Sequence, residues 1–200
     1  MKQIGYLCKV ITQDKFQMKP NNIKEIGFDQ IPEWIDFDYI DNDVILYSDV
    51  KELPFTDDVL KTNMVTIAVC LKGKMQLDIN AKWLQVEQND ILVCLPNTYI
   101  RNVLLSPDFG CNILCLSTRV VTDFIPENKL WDKINVLSAD SIIYVSNDNL
   151  HVFELYMDIL KTKLQAPSSR YKKEILYSII KTCLLELLEN IHMDEPSQND

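Results

Sequence analysis

Chemically active residues are scarce in this sequence. Its 200 residues include only two histidines, His151 and His192, far apart in the chain. A zinc or iron site takes two or three His or Cys ligands at fixed spacing, and no stretch here has that form. His151 reads as a surface residue at a helix start. His192 suits a helix C-terminus, where an imidazolium is favoured. With four glycines in all, the chain has no GxGxxG, no phosphate loop and no GxSxG. Carboxylate pairs such as Asp57-Asp58 and Asp41/Asp43 lie in turn-like stretches and read as solvated turn chemistry. No catalytic residue, no metal ligand and no cofactor is expected.

Positive charge is short as well. Twenty Lys and Arg against 29 Asp and Glu give a net charge of −9. Binding to nucleic acid runs on neutralising phosphates, so this chain alone is a poor candidate for it. There is no CxxC among the six cysteines, Cys8, Cys70, Cys94, Cys111, Cys115 and Cys183. Five sit inside apolar runs and Cys8 adjoins one, so they read as small buried hydrophobes in a reducing compartment. Long apolar runs are missing too: the N-terminus lacks a signal-peptide core, and no stretch approaches the ~18 residues of a membrane-spanning helix. A soluble, cytoplasmic protein without a membrane partner is expected.

What the chain does have is apolar content, 47% of residues, enough for a sizeable core. The stretch from Asn63 to Pro96, NMVTIAVCLKGKMQLDINAKWLQVEQNDILVCLP, organises it. Met64 to Leu71 is apolar on both faces apart from Thr66, which predicts a strand buried on both sides. Lys72-Gly73-Lys74 is a turn, with Gly supplying the unusual backbone angle. Met75, Leu77 and Ile79 then alternate with Gln76, Asp78 and Asn80, the pattern of a half-buried strand. Trp83–Val86, Ile91–Leu95, Tyr99–Leu105 and Cys111–Leu116 continue the series. Upstream, Ile4–Ile11 reads as a strand, Lys19–Asn22 as a turn, and Phe37–Ile40 with Val44–Tyr47 as a hairpin around Asp41-Asn42-Asp43. Six or more strands at about ten-residue spacing predict an all-β barrel or sandwich.

The period changes after Thr118. Arg119–Ile125 predicts one or two helical turns before Pro126, and Ser141–Val145 a last short strand or a helix approach. From Asn149, Phe153, Tyr156, Met157, Leu160 and Leu164 form one apolar stripe, with Asn147 or Asn149 as the candidate cap. Pro167-Ser168-Ser169 breaks this helix. A second runs from about Arg170 to Ile191, with a seam of Leu176, Ile180, Leu184, Leu187 and Ile191. Two antiparallel helices with a short link make an αα-hairpin. The expected class is α+β, mainly β. A barrel with its entry segment spans 1–140, a helix pair packed on it spans 141–192, and 193–200 is a frayed linker.

A barrel with neither nucleophile nor metal ligand is still a container, and such pockets are mostly apolar with a few fixed polar groups. Candidate ligand-binding residues are Met75, Trp83, Tyr99 and Arg101. Trp and Tyr join a flat apolar face to one hydrogen-bonding group, and Arg101 suits a carboxylate or phosphate. Core positions for Trp83 and Tyr99, and an outer-face position for Arg101, are the alternative.

Three pieces carry a family likeness. They are Val69-Cys70-Leu71-Lys72-Gly73, then Asn89-Asp90-Ile91-Leu92 with Leu95-Pro96, and the closing helix from Tyr171-Lys172-Lys173-Glu174-Ile175-Leu176 to Leu184-Leu185-Glu186-Leu187. In this order, over roughly residues 37–192, the chain resembles the N-terminal cupin-like sensing and dimerisation domain of AraC-type transcriptional regulators, those of gut Bacteroidetes above all. The resemblance implies a jelly-roll barrel, a small-molecule effector such as a sugar or organic acid, and a homodimer. Its dimer interface would be the Leu176, Ile180, Leu184, Leu187 and Ile191 seam. It also implies DNA contact only through a C-terminal helix-turn-helix domain absent from this chain, with DEPSQND as the interdomain linker of a longer regulator. Metal-binding cupins place histidines after the Gly turn and after the Pro. Here Gln76 and Asp78 stand in the first region and Arg101 in the second, so the barrel is expected to be metal-free. Two alternatives stay open: a cupin-fold enzyme of isomerase or dioxygenase type, and an interaction module without a ligand.

Overall fold

The computed structural model describes residues 23–28, 37–53, 59–125 and 127–191. The expected strand Ile4–Ile11, the turn at Lys19–Asn22, Cys8, Asp57-Asp58, His192 and the tail lie outside the described residues.

Eleven strands are described: β1 Ile23–Ile26, β2 Phe37–Ile40, β3 Val44–Val50, β4 Val59–Thr62, β5 Val65–Lys72, β6 Lys74–Ile79, β7 Lys82–Glu87, β8 Ile91–Cys94, β9 Thr98–Leu105, β10 Gly110–Leu116 and β11 Ile142–Ile143. They form two sheets, ordered β1-β4-β9-β6-β7 and β11-β8-β5-β10-β3-β2. From β3 to β10 the chain changes sheet at every step but the β6–β7 hairpin. The inner orders β4-β9-β6-β7 and β8-β5-β10-β3 are those of an eight-stranded jelly roll. The fold is α+β, mainly β: a cupin-like jelly roll followed by an antiparallel helix pair.

Four helices are described: α1 Thr118–Phe124, α2 Glu127–Ala139, α3 Asn147–Gln165 and α4 Lys172–Glu189. Ser117 caps α1, its Oγ accepting from the Val120 amide at 3.2 Å. The cap of α3 is Ser146, whose Oγ accepts from the Asn149 amide at 3.3 Å, and neither Asn147 nor Asn149 fills that place. Helix α2 had no counterpart in the sequence reading. The pair α3–α4 is antiparallel: Asn149, at the start of α3, donates to Asn190, past the end of α4, at 2.6 Å.

The six-stranded sheet is apolar on both faces. Side chains one residue apart therefore enter two different cores. On β5, Val65, Ile67 and Val69 join the helix-side core, while Ala68 and Cys70 join the barrel interior. On β3, Val44 and Leu46 face the helices, and Ile45 and Tyr47 face inward. Leu150, Phe153, Met157, Leu160 and Leu164 of α3 cover the outer face together with Leu176, Ile180, Cys183, Leu184 and Leu187 of α4. Burying each large aliphatic side chain contributes about 1.5–3 kcal/mol. The five-stranded sheet differs. Met75, Leu77, Ile79, Leu84 and Val86 point in, and Gln76, Asp78, Trp83 and Gln85 stand opposite them on its outer face.

Candidate functional site

A cavity of about 140 Å³ lies between the sheets. Met75 and Leu77 of β6 wall one side, with Ile100 and Val103 of β9. Ala68 of β5, with Cys94 and Cys115 of β8 and β10, walls the other. The few polar atoms among these side chains are already engaged. Thr62 Oγ1 donates to the Met64 carbonyl at 3.1 Å, and Thr66 Oγ1 pairs with Cys115 Sγ at 3.8 Å. Among the described residues no buried side-chain nitrogen or oxygen lacks a hydrogen-bond partner. What the cavity offers an occupant is dispersion and apolar burial. Its size matches an engineered apolar cavity of about 150 Å³ that holds benzene.

The thiols around the cavity are held protonated. Burial pushes Cys94, Cys111 and Cys115 up to about 12 and Cys70 up to about 11. A thiol is a nucleophile only as thiolate, so Cys94, Cys111 and Cys115 act as apolar wall of the cavity and Cys70 as inert core beside it. Burial, with a smaller effect from Cys115, also raises the Tyr47 phenol well above its ordinary range. Among the described residues no group of three or more His, Cys, Asp or Glu is placed to hold a metal ion.

Of the four candidate ligand residues, only Met75 lines this cavity. Trp83 is 60% exposed, Tyr99 is 41% exposed, and Arg101 faces Asp78 at 3.5 Å on the outer wall. The reason is strand parity. Trp83 pairs with Asp78, and Asp78 with Arg101, so all three occupy the face opposite Met75, Leu77 and Ile79. Tyr99 and Arg101 border a shallow outer hollow with Val59, Asn80 and Ala81. The interior wall at β9 is made by Ile100 and Val103, with an irregularity between them at Asn102, whose φ is +52°. The sequence reading missed Cys94, Cys111 and Cys115 as cavity residues. Their placement in apolar runs was the available signal.

The five seam residues of the last helix, Leu176, Ile180, Leu184, Leu187 and Ile191, are all buried in the core shared with the chain's own sheet. That seam packs against the chain's own sheet and helices. The apolar side chains left exposed on the helix pair are Val152, Leu155 and Ile159 of α3, with Ile175 and Leu185 of α4.

Helices and barrel are tied at Asp43, in the β2–β3 turn. Its buried carboxylate accepts from Ser117 Oγ at 2.7 Å, from the Tyr177 hydroxyl at 2.9 Å and from the Arg119 guanidinium. Close by, Lys173 of α4 pairs with Asp41, and Gln165 of α3 donates to Asp38 at 3.1 Å. One hairpin of the barrel therefore grips α1, α3 and α4.

No protein-family model and no curated protein matches the chain. Solved structures that the chain matches include the AraC-like transcriptional activator CuxR, at 11% identity over 78% of this chain and 52% of that one, with a TM-score of 0.47. ToxT from Vibrio cholerae is similar at 10% identity over 78% of this chain and 61% of its own, with a TM-score of 0.40. A cupin protein from Bacteroides fragilis shares 17% identity over 38% of this chain and 67% of its own, with a TM-score of 0.28. The chain spans about half the length of CuxR.

Proposed function

We propose that the chain is the effector-sensing and dimerisation module of an AraC-type transcriptional regulator, with a metal-free barrel that binds a small molecule and does no chemistry. One observation carries the reading. The sheet that walls the apolar cavity is the same sheet whose other face is packed by the helices. An occupant that shifts β5 or β10 moves Ile67 or Leu114 against the helix layer, so binding and helix placement share one free energy.

The cavity's chemistry narrows the effector. A sugar here would bury hydroxyls without partners, a cost of roughly 2–7 kcal/mol each. A compact apolar molecule of benzene size fits instead. In this reading DNA is contacted through a separate helix-turn-helix domain of the same cytoplasmic regulator. With the inward seam buried in the chain's own core, the homodimer uses the outward stripe of Val152, Leu155 and Ile159 with Leu185.

The test is a ligand titration with benzene, toluene and indole, followed by hydrogen exchange on α4. Binding is expected, with altered protection in α4, and is expected to vanish in Ala68→Leu, which fills the cavity. If no compound of this size binds the folded chain, the sensing role is lost. For the dimer, light scattering on Leu155→Glu and Ile159→Glu is expected to give a monomer where the unaltered chain gives a dimer.

A further inference from the structure

A second and larger cavity, about 520 Å³, lies between the outer face of the six-stranded sheet and helices α1, α2 and α4. Small-molecule sites measure roughly 300–1,000 Å³. Val93 of the sheet, Ile125 and Leu137 from the α1–α2 region, and Leu187 of α4 give it an apolar body. Lys133 of α2 is the one charged side chain among the described lining residues. Its Nζ donates to the Ile191 carbonyl, beyond the end of α4, and it makes no ion pair among the described residues. An ammonium carries three donors, and a neutral carbonyl occupies one of them. The hydroxyls of Thr122 and Ser138 donate to carbonyls of the chain's own helical turns. Asn80, Asn97, Thr98, Thr118 and Ser141 also line the chamber, so it combines an apolar body and neutral polar groups with one cationic side chain.

We propose that this chamber binds an amphipathic monocarboxylate, its carboxylate on Lys133 and its hydrocarbon body between sheet and helices. The binding site stands apart from the barrel cavity and rests on the sensor reading only for its output. An occupant touches Val93 and Leu187 at once, so it sets the spacing of sheet and last helix directly. A neutral body of the same shape gains the apolar contacts and lacks the charge-assisted hydrogen bond. A cationic one meets Lys133 with like charge.

The test is calorimetric titration of the 200-residue chain with octanoate, octan-1-ol and octylammonium. Octanoate is expected to bind at one site, about tenfold tighter than octanol, the worth of one charge-assisted hydrogen bond. Octylammonium is expected not to bind. Lys133→Met, or Lys133→Gln if the first variant misfolds, is expected to remove the preference for octanoate while leaving octanol binding intact. Leu137→Trp is expected to block both ligands. The proposal is overturned if octanoate fails to bind, if Lys133→Met and Lys133→Gln leave its affinity unchanged, or if Ala68→Leu in the barrel abolishes its binding while Leu137→Trp does not. Benzene bound in the barrel without any octanoate binding sinks this chamber and leaves the sensor reading standing.

Discussion

The hydroxyl of Tyr177, on the last helix, donates to Asp43 Oδ2 at 2.9 Å, across 134 positions of chain. Asp43 is buried, and it also receives Ser117 and Arg119. Removing one donor leaves the others in place, whereas removing the acceptor takes the partner from Ser117 and Tyr177 together and leaves Arg119 only Asp123. Tyr177→Phe is expected to cost about 1–2 kcal/mol and Asp43→Ala about 2–3 kcal/mol, read from urea denaturation. Equal losses in the two variants would show that Asp43 does not serve its other donors.

The same carboxylate sets a pH dependence. Burial pushes its pKa up, but the bonds from Ser117 and Tyr177 and the charge of Arg119 more than offset this and hold it below the ordinary 3.8. A carboxylate depressed on folding stabilises the fold above its unfolded pKa, and the effect is lost as pH falls through the folded value. The Tm advantage of the unaltered chain over Asp43→Asn is therefore expected to be full at neutral pH and to shrink below about pH 4. A constant difference from pH 7 to pH 3 would contradict it.

Gly73 turns the chain from β5 into β6 at φ +65°. A Cβ there would meet the Ser106 hydroxyl, and would stand 2.9 Å from the Phe109 amide nitrogen. These groups pin the turn against the β9–β10 connection, where the Lys74 amide donates to Ser106 Oγ at 2.9 Å. Gly73→Ala combines a left-handed backbone, about 1–2 kcal/mol, with that close contact. A loss of about 2 kcal/mol or more is expected in chemical denaturation, and a neutral substitution would mean that the turn relaxes freely.

Neighbouring residues of α4 should behave oppositely. Leu176 and Ile180 are fully buried against sheet and helix, while Ile175 is 41% exposed. Leu176→Ala and Ile180→Ala are each expected to cost about 2–5 kcal/mol. Ile175→Ala is expected to stay within about 0.5 kcal/mol. Similar values at all three positions would refute the assignment of the helix faces.

The cysteines give a test of the closed interior. In a Cys8→Ser background, Cys70, Cys94, Cys111, Cys115 and Cys183 are all buried, with thiols pushed up to between about 11 and about 12. At pH 8 an aromatic disulfide reagent is expected to label none of them until denaturant is added. Rapid labelling of Cys70, Cys94, Cys111 or Cys115 in the native protein would mean that the barrel opens, and of Cys183 that the helix layer lifts.

Much of this architecture was legible in the residues. Met64 to Leu71 reads as doubly buried because both of its faces are apolar apart from Thr66, and two cores do meet across the strand Val65–Lys72. The helix pair was legible from its 3.6 period. Helix α2 was not, because Pro126 reads as a stop, although proline also suits the first turn of a helix. The face taken by Trp83 and Arg101 was not legible for a different reason. Aromatic and cationic character does not say which face of a strand a residue takes, and pairing with Asp78 put Trp83 and Arg101 outside. At Asn102 the strand irregularity also shifts parity, so that Val103 is buried and Leu104 is 65% exposed.

The doubly buried sheet also has a consequence in time. A ribosome releases the chain from its N-terminal side, so β3, β5, β8 and β10 can pair as soon as Leu116 has emerged. The helices that cover their outer face, α3 and α4, are still to be made. Until Ile191 has emerged, Val44, Ile67, Val93 and Leu114 stand uncovered on one side. A nascent chain whose barrel pairs before the helices are made presents that apolar face bare. Transiently exposed apolar surface of this kind favours aggregation, and in the finished fold the helices cover it.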